Sequence, residues 1–180
     1  QMERAAQIRR ACRRLSTLVD NCLLSDRLDT TAFRLQLDHA PMSELIDDAA
    51  QLVQWSPRHQ LRLDVARAPA EWECDPVLVR IALSNLVDNA VKYGQPGAIS
   101  LIAQTDERGN LRLSVGDEGP GLPAGAAEHL FQRGQRGEHR ARGFGLGLWV
   151  ARRIALLHGG GIEVAATPEG GACFTLVLPA

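Results

Sequence analysis

The sequence predicts an α/β sandwich, in which one mixed β-sheet is covered on one face by helices and is preceded by one long helix. Short segments that alternate apolar and polar residues are interspersed with longer segments of helical spacing. The two kinds of segment do not alternate strictly, which excludes a doubly wound fold. Residues 1–27 contain neither glycine nor proline, so a helix can run through them without interruption.

The composition is that of an ordinary globular protein, with 23% charged and 45% hydrophobic residues and a net charge of -1 over 180 residues. This balance argues against a nucleic-acid partner, which would require a strongly basic surface. Every apolar run is shorter than the roughly 18 residues of a membrane span, so we expect a soluble chain without direct membrane contact. The cysteines follow no metal-ligand spacing and are predicted to be small buried residues in a reducing compartment.

The first helix has an apolar stripe with alternating spacings of four and three, formed by Ile8, Cys12, Leu15, Val19 and Cys22. This spacing is typical of a helix that packs against other helices. The helix is either an amphipathic element lying on its own domain or one member of a helix bundle.

The sandwich is predicted to begin with a short strand at 33–37, followed by a helix that Pro41 starts in its first turn. The buried face of this helix is predicted from its apolar residues, namely Leu45, Ile46, Ala49, Leu52 and Val53. Residues 61–65 alternate apolar and charged side chains and predict a half-exposed strand.

A long helix should then end at Tyr93, with Asp75 as its N-cap, Pro76 in its first turn and Gly94 after its last residue. Residues 118–143 lack periodicity and are rich in glycine, proline and arginine, which is typical of a lid over a site. The remaining elements are strands at 98–105 and 111–116 around a hairpin turn at 108–110, a helix at 146–158, and strands at 162–166 and 173–178.

Three polar residues of the long helix, Asn85, Asn89 and Lys92, recur at intervals of four and three and therefore share one face. Apolar residues occupy the other side: Leu83, Leu86, Val87, Ala90 and Val91. Asparagine inside a helix costs about 0.5 kcal/mol relative to alanine, so two of them one turn apart require an explanation. The pattern indicates either a solvated helix face or a magnesium-phosphate site built from amide oxygens and an ammonium group.

Two glycine-rich segments are each ambiguous alone. Residues 117–122 (DEGPGL) follow a strand and form either an ordinary turn or a site where Asp117 accepts a hydrogen bond from an exocyclic amine. Residues 143–148 (GFGLGL) open a helix whose N–H groups would attract phosphate oxygens. Between these two segments lie four arginines, namely Arg133, Arg136, Arg140 and Arg142. They belong either to a solvated loop or to a lid that closes over a triphosphate.

These motifs, in this order, resemble those of the ATP-binding domain of sensor histidine kinases, a branch of the superfamily shared with gyrase, Hsp90 and MutL. Residues 85–93 (NLVDNAVKY) resemble the asparagine box, 117–121 (DEGPG) the first glycine box, 130–134 (LFQRG) the phenylalanine box and 143–148 the second glycine box. The resemblance covers about residues 33–178. It implies a two-layer Bergerat-type ATP-binding fold that binds ATP and Mg²⁺.

By this resemblance, Asn85 and Asn89 would hold Mg²⁺ against the phosphates, Lys92 would contact phosphate, and Tyr93 would pack on the adenine ring. Asp117 would bind the adenine amine. The base pocket would be lined by Gly119, Gly121 and Leu122. The remaining nucleotide contacts would come from the phenylalanine box, the lid and the second glycine box, namely Phe131, Arg136, Gly143, Gly145, Leu146, Gly147 and Leu148.

Residues 1–29 resemble the second helix of the dimerisation hairpin of these kinases, and residues 30–180 would be the ATP-binding catalytic domain. The phospho-accepting histidine should lie on the first hairpin helix, followed by an acidic residue. The chain has five histidines that lack this context, namely His39, His59, His129, His139 and His158. No catalytic residue is therefore assigned here, and the acceptor is expected upstream of this chain.

The resemblance implies a protein-histidine kinase of a two-component system, a transferase that passes the γ-phosphoryl group of ATP to a histidine upstream of this chain. Its implied partners are ATP, ADP and the receiver domain of a response regulator, in a parent that forms homodimers. The implied location is the cytoplasmic part of an inner-membrane sensor. The alternatives are an ATPase of the same superfamily, which would need a glutamate at the position of Asn85, and a non-catalytic phosphotransfer or scaffold module.

Overall fold

The computed structural model describes residues 12, 19–30, 32–53, 55, 57–122, 130–131 and 146–180. By its packing the chain divides into two units, Gln1–Phe33 and Arg34–Ala180. In the first unit, the described residues 19–28 are helical. No helix in the described ranges is long and apolar enough to cross a membrane.

The second unit contains three described helices, α1 Met42–Leu52, α2 Pro76–Tyr93 and α3 Gly147–Leu157. Its strands are β1 Asp38–Pro41, β2 His59–Arg67, β3 Glu71–Cys74, β4 Gly97–Thr105, β5 Leu111–Gly116, β6 Gly161–Ala166 and β7 Ala172–Leu178. Five of them form a sheet with the order β2-β4-β5-β7-β6, and β1 pairs with β3 in a separate ribbon. β2 runs parallel to β4, while the other neighbours in the sheet are antiparallel.

One face of the sheet packs under the helices. Alternate residues of β5 and β7 are buried on this face, including Leu113, Val115 and Leu176. Helix α2 lies against β5, and α3 lies against β7. Full burial of one such side chain is worth about 1.5–3 kcal/mol, so this layer holds the fold together. The predicted α/β sandwich with a mixed sheet covered on one face is confirmed.

Helix α2 begins and ends where the sequence predicts. Asp75 Oδ1 accepts the Leu78 N–H at 3.1 Å, and the Gly94 N–H donates to the Ala90 carbonyl at 2.8 Å. The buried side consists of apolar residues, namely Leu78, Val79, Ala82, Leu83, Leu86, Val87 and Ala90. These caps fix the helix ends and therefore the direction in which its polar residues point. Helix α3 and strands β4 to β7 also lie within one residue of their predicted bounds.

The start of the sandwich differs from the prediction. The prediction of a strand at 33–37 is wrong, because these residues belong to no strand and β1 lies at Asp38–Pro41. Its partner, β3, was not predicted. The physical reason is that the Gln36 N–H donates to Asp75 Oδ2 at 3.0 Å, so the backbone before β1 is fixed to the start of α2.

The predicted burial pattern of α1 also needs correction. Leu52 is 62% exposed, while Met42 is buried instead, and Pro41 ends β1 rather than lying in the first turn. The strand predicted at 61–65 lies within β2, at the edge of the sheet, where Leu63 and Val65 are 49% and 45% exposed.

The cysteines differ in exposure. Cys74 is buried, Cys22 and Cys173 are half-buried, and Cys12 is exposed. The prediction of buried cysteines is therefore wrong for Cys12, which lies in the helical segment of the first unit, outside the sandwich core.

Candidate functional site

The polar face of α2 forms one wall of the candidate site. Asn85 and Asn89 are half-buried, whereas Lys92 and Tyr93 are exposed, Tyr93 by 43%. Lys92 forms an ion pair with Asp88, one turn earlier on the same helix. A cation near the carboxyl end of a helix is stabilised by the helix dipole. The wall therefore presents amides in its half-buried part and a positive charge at its exposed end.

Asn85 lies against the start of α3. A Cβ atom on Gly147 would lie 3.3 Å from Asn85 Oδ1, so a side chain at position 147 would crowd this amide. Asn85 Nδ2 is buried and has no hydrogen-bond partner among the described residues. Leaving a buried donor unpaired costs about 1–3 kcal/mol. The contact brings two of the predicted motifs together around a donor that a ligand could satisfy.

Asp117 follows β5 and is only 7% exposed. Its Oδ1 accepts the Gly119 N–H at 2.7 Å and the Ala172 N–H at 3.3 Å. All side-chain hydrogen bonds that Asp117 forms with described residues fall on Oδ1. The second oxygen, Oδ2, is therefore left for a donor from outside this part of the chain.

The first glycine motif packs on the carboxyl end of α2. A Cβ atom on Gly119 would lie 3.0 Å from Gly94 Cα and 3.3 Å from the Tyr93 carbonyl oxygen. Gly121 has a φ of 71°, in the left-handed region that favours glycine, and a Cβ there would lie 2.5 Å from the Gly170 carbonyl oxygen. This close packing places Asp117 at the carboxyl end of α2, where a Cβ atom on Gly94 would lie 3.1 Å from Asp117 Cβ.

Three further residues take part in the site, although sequence reasoning did not select them. Glu118 Oε2 accepts the Ala98 N–H at 3.3 Å and fixes the loop to the start of β4. Thr167 Oγ1 donates to the Asp117 carbonyl oxygen at 3.1 Å. A Cβ on Gly171 would lie 1.9 Å from that same oxygen. The adjacent glycines 170 and 171 were a signal in the sequence for the contacts of Thr167 and Gly171.

Phe131 is buried in the sandwich. Its ring meets Phe174 edge to face, with centroids 6.4 Å apart, and the Arg152 guanidinium carbon lies 5.5 Å from its centroid. These contacts anchor the chain to β7 and α3. A direct contact of Phe131 with nucleotide stays a prediction.

The remaining predicted residues fall into two groups. Leu146, Gly147 and Leu148 are half-buried at the start of α3. The other group lies outside the described residues and comprises Arg133, Arg136, Arg140, Arg142, Gly143 and Gly145. The described part of the site therefore joins the asparagine motif to the first glycine motif at Gly94 and to the second at Gly147.

Residues 74–180 match the family model described as histidine kinase-, DNA gyrase B- and HSP90-like ATPase. The sensor protein KdpD of Escherichia coli (strain K12) is 35% identical over 178 residues, which cover 97% of this chain and 20% of that protein. The signal transduction histidine-protein kinase AfsQ2 of Streptomyces coelicolor is 35% identical over 170 residues, which cover 93% of this chain and 31% of that protein. The chain thus spans about a fifth to a third of the length of these curated relatives.

Solved structures with the same fold agree with these sequence matches. Full-length ShkA in complex with AMPPNP has a TM-score of 0.82 at 28% identity, over 99% of this chain and 38% of that chain. The ATP binding domain of PrrB from Mycobacterium tuberculosis has a TM-score of 0.63 at 28% identity, over 80% of this chain and 97% of that chain.

Proposed function

Because the chain belongs to the family of histidine kinase-, DNA gyrase B- and HSP90-like ATPases, we propose that it is the ATP-binding catalytic part of a two-component sensor histidine kinase. The family predicted from the motifs is confirmed. The reaction would transfer the γ-phosphoryl group of ATP to a histidine outside this chain. The observation that carries the proposal is the contact of Asn85 with Gly147, which joins two motifs around an unpaired amide.

The base would bind at the Asp117 end of the site. Asp117 Oδ2 would accept a hydrogen bond from the adenine amine, with Gly119, Gly121 and Leu122 lining the ring. Main-chain N–H groups already occupy Oδ1, which supports a fixed direction for Oδ2. Tyr93 is 43% exposed and would pack on the ring. Guanine carries a carbonyl oxygen where adenine carries the amine, so a carboxylate here favours adenine.

The phosphates would bind at the Asn85 end. Within the described part of the chain, no side chain caps the start of α3, which leaves its first-turn N–H groups for an anion. Gly147, with Leu146 and Leu148 beside it, would bring this backbone close to the phosphates. Lys92 and the lid residue Arg136 would offset their charge. Gly143 and Gly145 would complete the loop around them.

Mg²⁺ fits the donor set of Asn85 and Asn89. Amide oxygens are hard ligands, and a divalent ion bound to phosphates needs only a few ligands from protein. Rotation of an amide about its terminal bond exchanges Oδ1 and Nδ2, so the unpaired end of Asn85 can present either atom. When bound, the ion would supply charge neutralisation to the phosphate chain.

The chain's own residues would act by positioning and charge neutralisation. The bond between the γ-phosphorus and its bridging oxygen breaks to leave ADP, and a new bond forms to a nitrogen of the acceptor histidine. Lys92 and Arg136 would stabilise the charge on the transferred group. Asn85 cannot act as a base towards water, because a neutral amide does not take up a proton. This argues against the alternative of a superfamily ATPase.

The described histidines are poorly suited to accept a phosphoryl group. His158 Nε2 accepts the Asp75 N–H at 3.0 Å, so its Nδ1 carries the proton that it donates to the Ile154 carbonyl at 2.8 Å. Both ring nitrogens of His59 are buried. His39 is exposed, but it lies on strand β1 rather than on a helix, with its Nδ1 3.7 Å from Glu71 Oε1. These positions support an acceptor other than the described histidines.

Residues 1–29 would be the second helix of the dimerisation hairpin, and residues 30–180 the catalytic domain. Val19, a residue of the predicted stripe, is 52% exposed on the described part of that helix, as expected for a stripe that packs against helices of the parent. The parent would be a homodimeric phosphoprotein that passes the phosphoryl group on to a response regulator receiver domain. Its kinase part would lie in the cytoplasm.

The proposal is tested with Asn89→Ala in a calorimetric titration with Mg-ADP. Binding should become undetectable while the melting temperature without nucleotide stays unchanged, because Asn89 is half-buried and its loss leaves the apolar side of α2 intact. Val77→Ala is the matched control, since Val77 is 54% exposed on the first turn of the same helix. Unchanged affinity in Asn89→Ala would contradict the site.

A second measurement separates the non-catalytic module. Mg-ADP that binds only the folded state must raise the melting temperature of the wild-type protein. The absence of such a rise would favour a scaffold that has lost nucleotide binding.

A further inference from the structure

The turn that joins β6 to β7 packs against the loop that carries Asp117. It is closed by the Thr167 N–H donating to the Gly171 carbonyl and by the Gly170 N–H donating to the Thr167 carbonyl, both at 2.9 Å. Thr167 is half-buried, although Ala166, Pro168, Glu169 and Gly170 around it are exposed. One side chain of an exposed turn is therefore directed into the protein.

The contacts of this turn converge on one residue. The Asp117 N–H donates to the Ala172 carbonyl at 2.9 Å, and the Ala172 N–H donates back to Asp117 Oδ1 at 3.3 Å. Thr167 Oγ1 donates to the Asp117 carbonyl oxygen at 3.1 Å. Because a Cβ on Gly171 would lie 1.9 Å from that oxygen, only glycine permits this approach. The amide, carbonyl and carboxylate of Asp117 are thus all held by the start of β7 and this turn.

The hydroxyl direction of Thr167 is itself restricted. Thr167 Cγ2 lies 3.2 Å from where a Cβ on Gly116 would be, so the methyl group packs over a residue without a side chain. A β-branched residue held in this way has little freedom about χ1. Its hydroxyl therefore stays on the Asp117 carbonyl, and this bond fixes the peptide that links Asp117 to the glycine motif.

We propose that Thr167 is a positioning residue for adenine recognition. Its hydrogen bond holds the Asp117 peptide so that Oδ1 receives the N–H groups of Gly119 and Ala172, while Oδ2 faces the exocyclic amine of the base. This inference rests on the proposed function, since it assumes that Asp117 binds adenine. Thr167 does not touch the nucleotide; it acts through Asp117.

The test compares ADP with inosine diphosphate, which has a carbonyl oxygen in place of the exocyclic amine. Thr167→Val removes the hydroxyl and keeps the branched shape, whereas Thr167→Ser keeps the hydroxyl. Calorimetric titration of the full chain with each Mg-nucleotide should show ADP affinity falling about five-fold in Thr167→Val, the effect of one net hydrogen bond. Inosine diphosphate affinity should stay unchanged, and Thr167→Ser should lie closer to the wild-type preference than Thr167→Val, because it keeps the hydroxyl but not the methyl group. Thr167→Ala, which also lacks the hydroxyl, should behave as Thr167→Val.

The ratio of the two affinities separates positioning from general stability, because a loss of fold lowers both together. A wild-type ratio in Thr167→Val, or an equal loss of both nucleotides, overturns the role of Thr167 while leaving the proposed function intact. Wild-type protein that binds both nucleotides equally contradicts the role of Asp117, and with it both the proposed base site and this inference.

Discussion

Asp75 and Asp117 are both nearly buried, at 6% and 7% exposure, yet their oxygens are used differently. Asp75 accepts the Leu78 N–H with Oδ1 and the Gln36 N–H with Oδ2, so both oxygens are paired with main chain. Asp117 accepts two N–H groups with Oδ1, and the described residues give its Oδ2 none. A carboxylate oxygen without a donor from the described residues can accept a hydrogen bond from a ligand. The comparison indicates a structural role for Asp75 and a ligand-binding role for Asp117.

Between these two aspartates, the largest expected effect comes from Asp117→Asn. The amide oxygen can replace Oδ1, but the NH₂ group would then face the adenine amine, donor against donor. We expect ADP affinity to fall on the order of 100-fold, the size of a lost hydrogen bond to a charged group. Calorimetric titration with Mg-ADP measures this effect. Asp75→Asn should keep wild-type affinity, and the comparison fails if both variants weaken ADP equally.

Asp75→Ala should lower the stability of the fold, in contrast to the loss of ADP affinity expected for Asp117→Asn. The change removes the N-cap of α2 and leaves the N–H groups of Leu78 and Gln36 without their acceptor. The free energy of unfolding should fall by about 2–3 kcal/mol. Urea unfolding measures it, and Glu44→Ala is the control, because Glu44 lies in the first turn of α1 without a capping bond. An Asp75→Ala protein as stable as this control would remove the structural half of the comparison.

The pKa of Cys74, the residue before Asp75, depends in part on the charge of Asp75. Burial, and then the charges of Asp75 and Asp38, raise the pKa of Cys74 from 9.0 to about 11. The folded protein thus favours the neutral thiol, and this stabilisation is complete below the unfolded pKa and is lost as pH rises through the folded pKa. Relative to Cys74→Ala, the wild-type protein should lose about 2 kcal/mol of unfolding free energy between about pH 8 and about pH 11.

Urea unfolding at both pH values measures this loss, and Asp75→Asn should reduce it by removing one of the charges. The cysteine near Asp117, Cys173, also has a pKa that is raised, chiefly by burial. Asp75→Asn should leave the contribution of Cys173 unchanged. An identical pH dependence in wild type and Cys74→Ala would show that Cys74 is not the titrating group.

The fold around these aspartates was predictable where the determining contacts are local. The cap of α2 follows from Asp75 and Pro76 alone, since the capping bond spans three residues. The strand before α1 was misplaced because the Gln36 N–H is taken by a carboxylate 39 residues further along the chain. A propensity pattern contains no information about such a distant acceptor, so the strand could be placed only in the folded protein.

The residues of the candidate site were likewise predictable only where they belong to local motifs. Asn85, Asn89 and Asp117 stand in motifs whose spacing and resemblance suggested their roles. Thr167 belongs to no motif, and its bond to Asp117 spans 50 residues. Only the antiparallel pairing of β5 with β7 brings that turn beside the Asp117 loop. Supporting contacts of this kind depend on topology, and they escape a search along the chain.

The smallest expected effect on the free energy of unfolding comes from Glu163→Gln, which tests whether the pairing of a carboxylate stabilises the fold without burial. Glu163 has both oxygens paired with Arg112, at 3.2 and 2.5 Å, as Asp75 has both oxygens paired, but its side chain is 60% exposed. The hydrogen bond from Arg112 lowers the pKa of Glu163, so the pair stabilises the fold above the ordinary glutamate pKa and loses that effect as pH falls through the folded value.

Because solvent screens an exposed pair, Glu163→Gln should lower the unfolding free energy by less than about 0.5 kcal/mol at neutral pH. Urea unfolding of this variant is compared with that of Asp75→Ala. If Glu163→Gln destabilised the protein as much as Asp75→Ala, pairing alone would account for both residues. Burial would then no longer distinguish them, and the unpaired oxygen of buried Asp117 would lose its significance. A small effect of Glu163→Gln instead means that the hydrogen-bond partners of a carboxylate matter to stability chiefly when the carboxylate is buried. Asp117 is such a buried carboxylate.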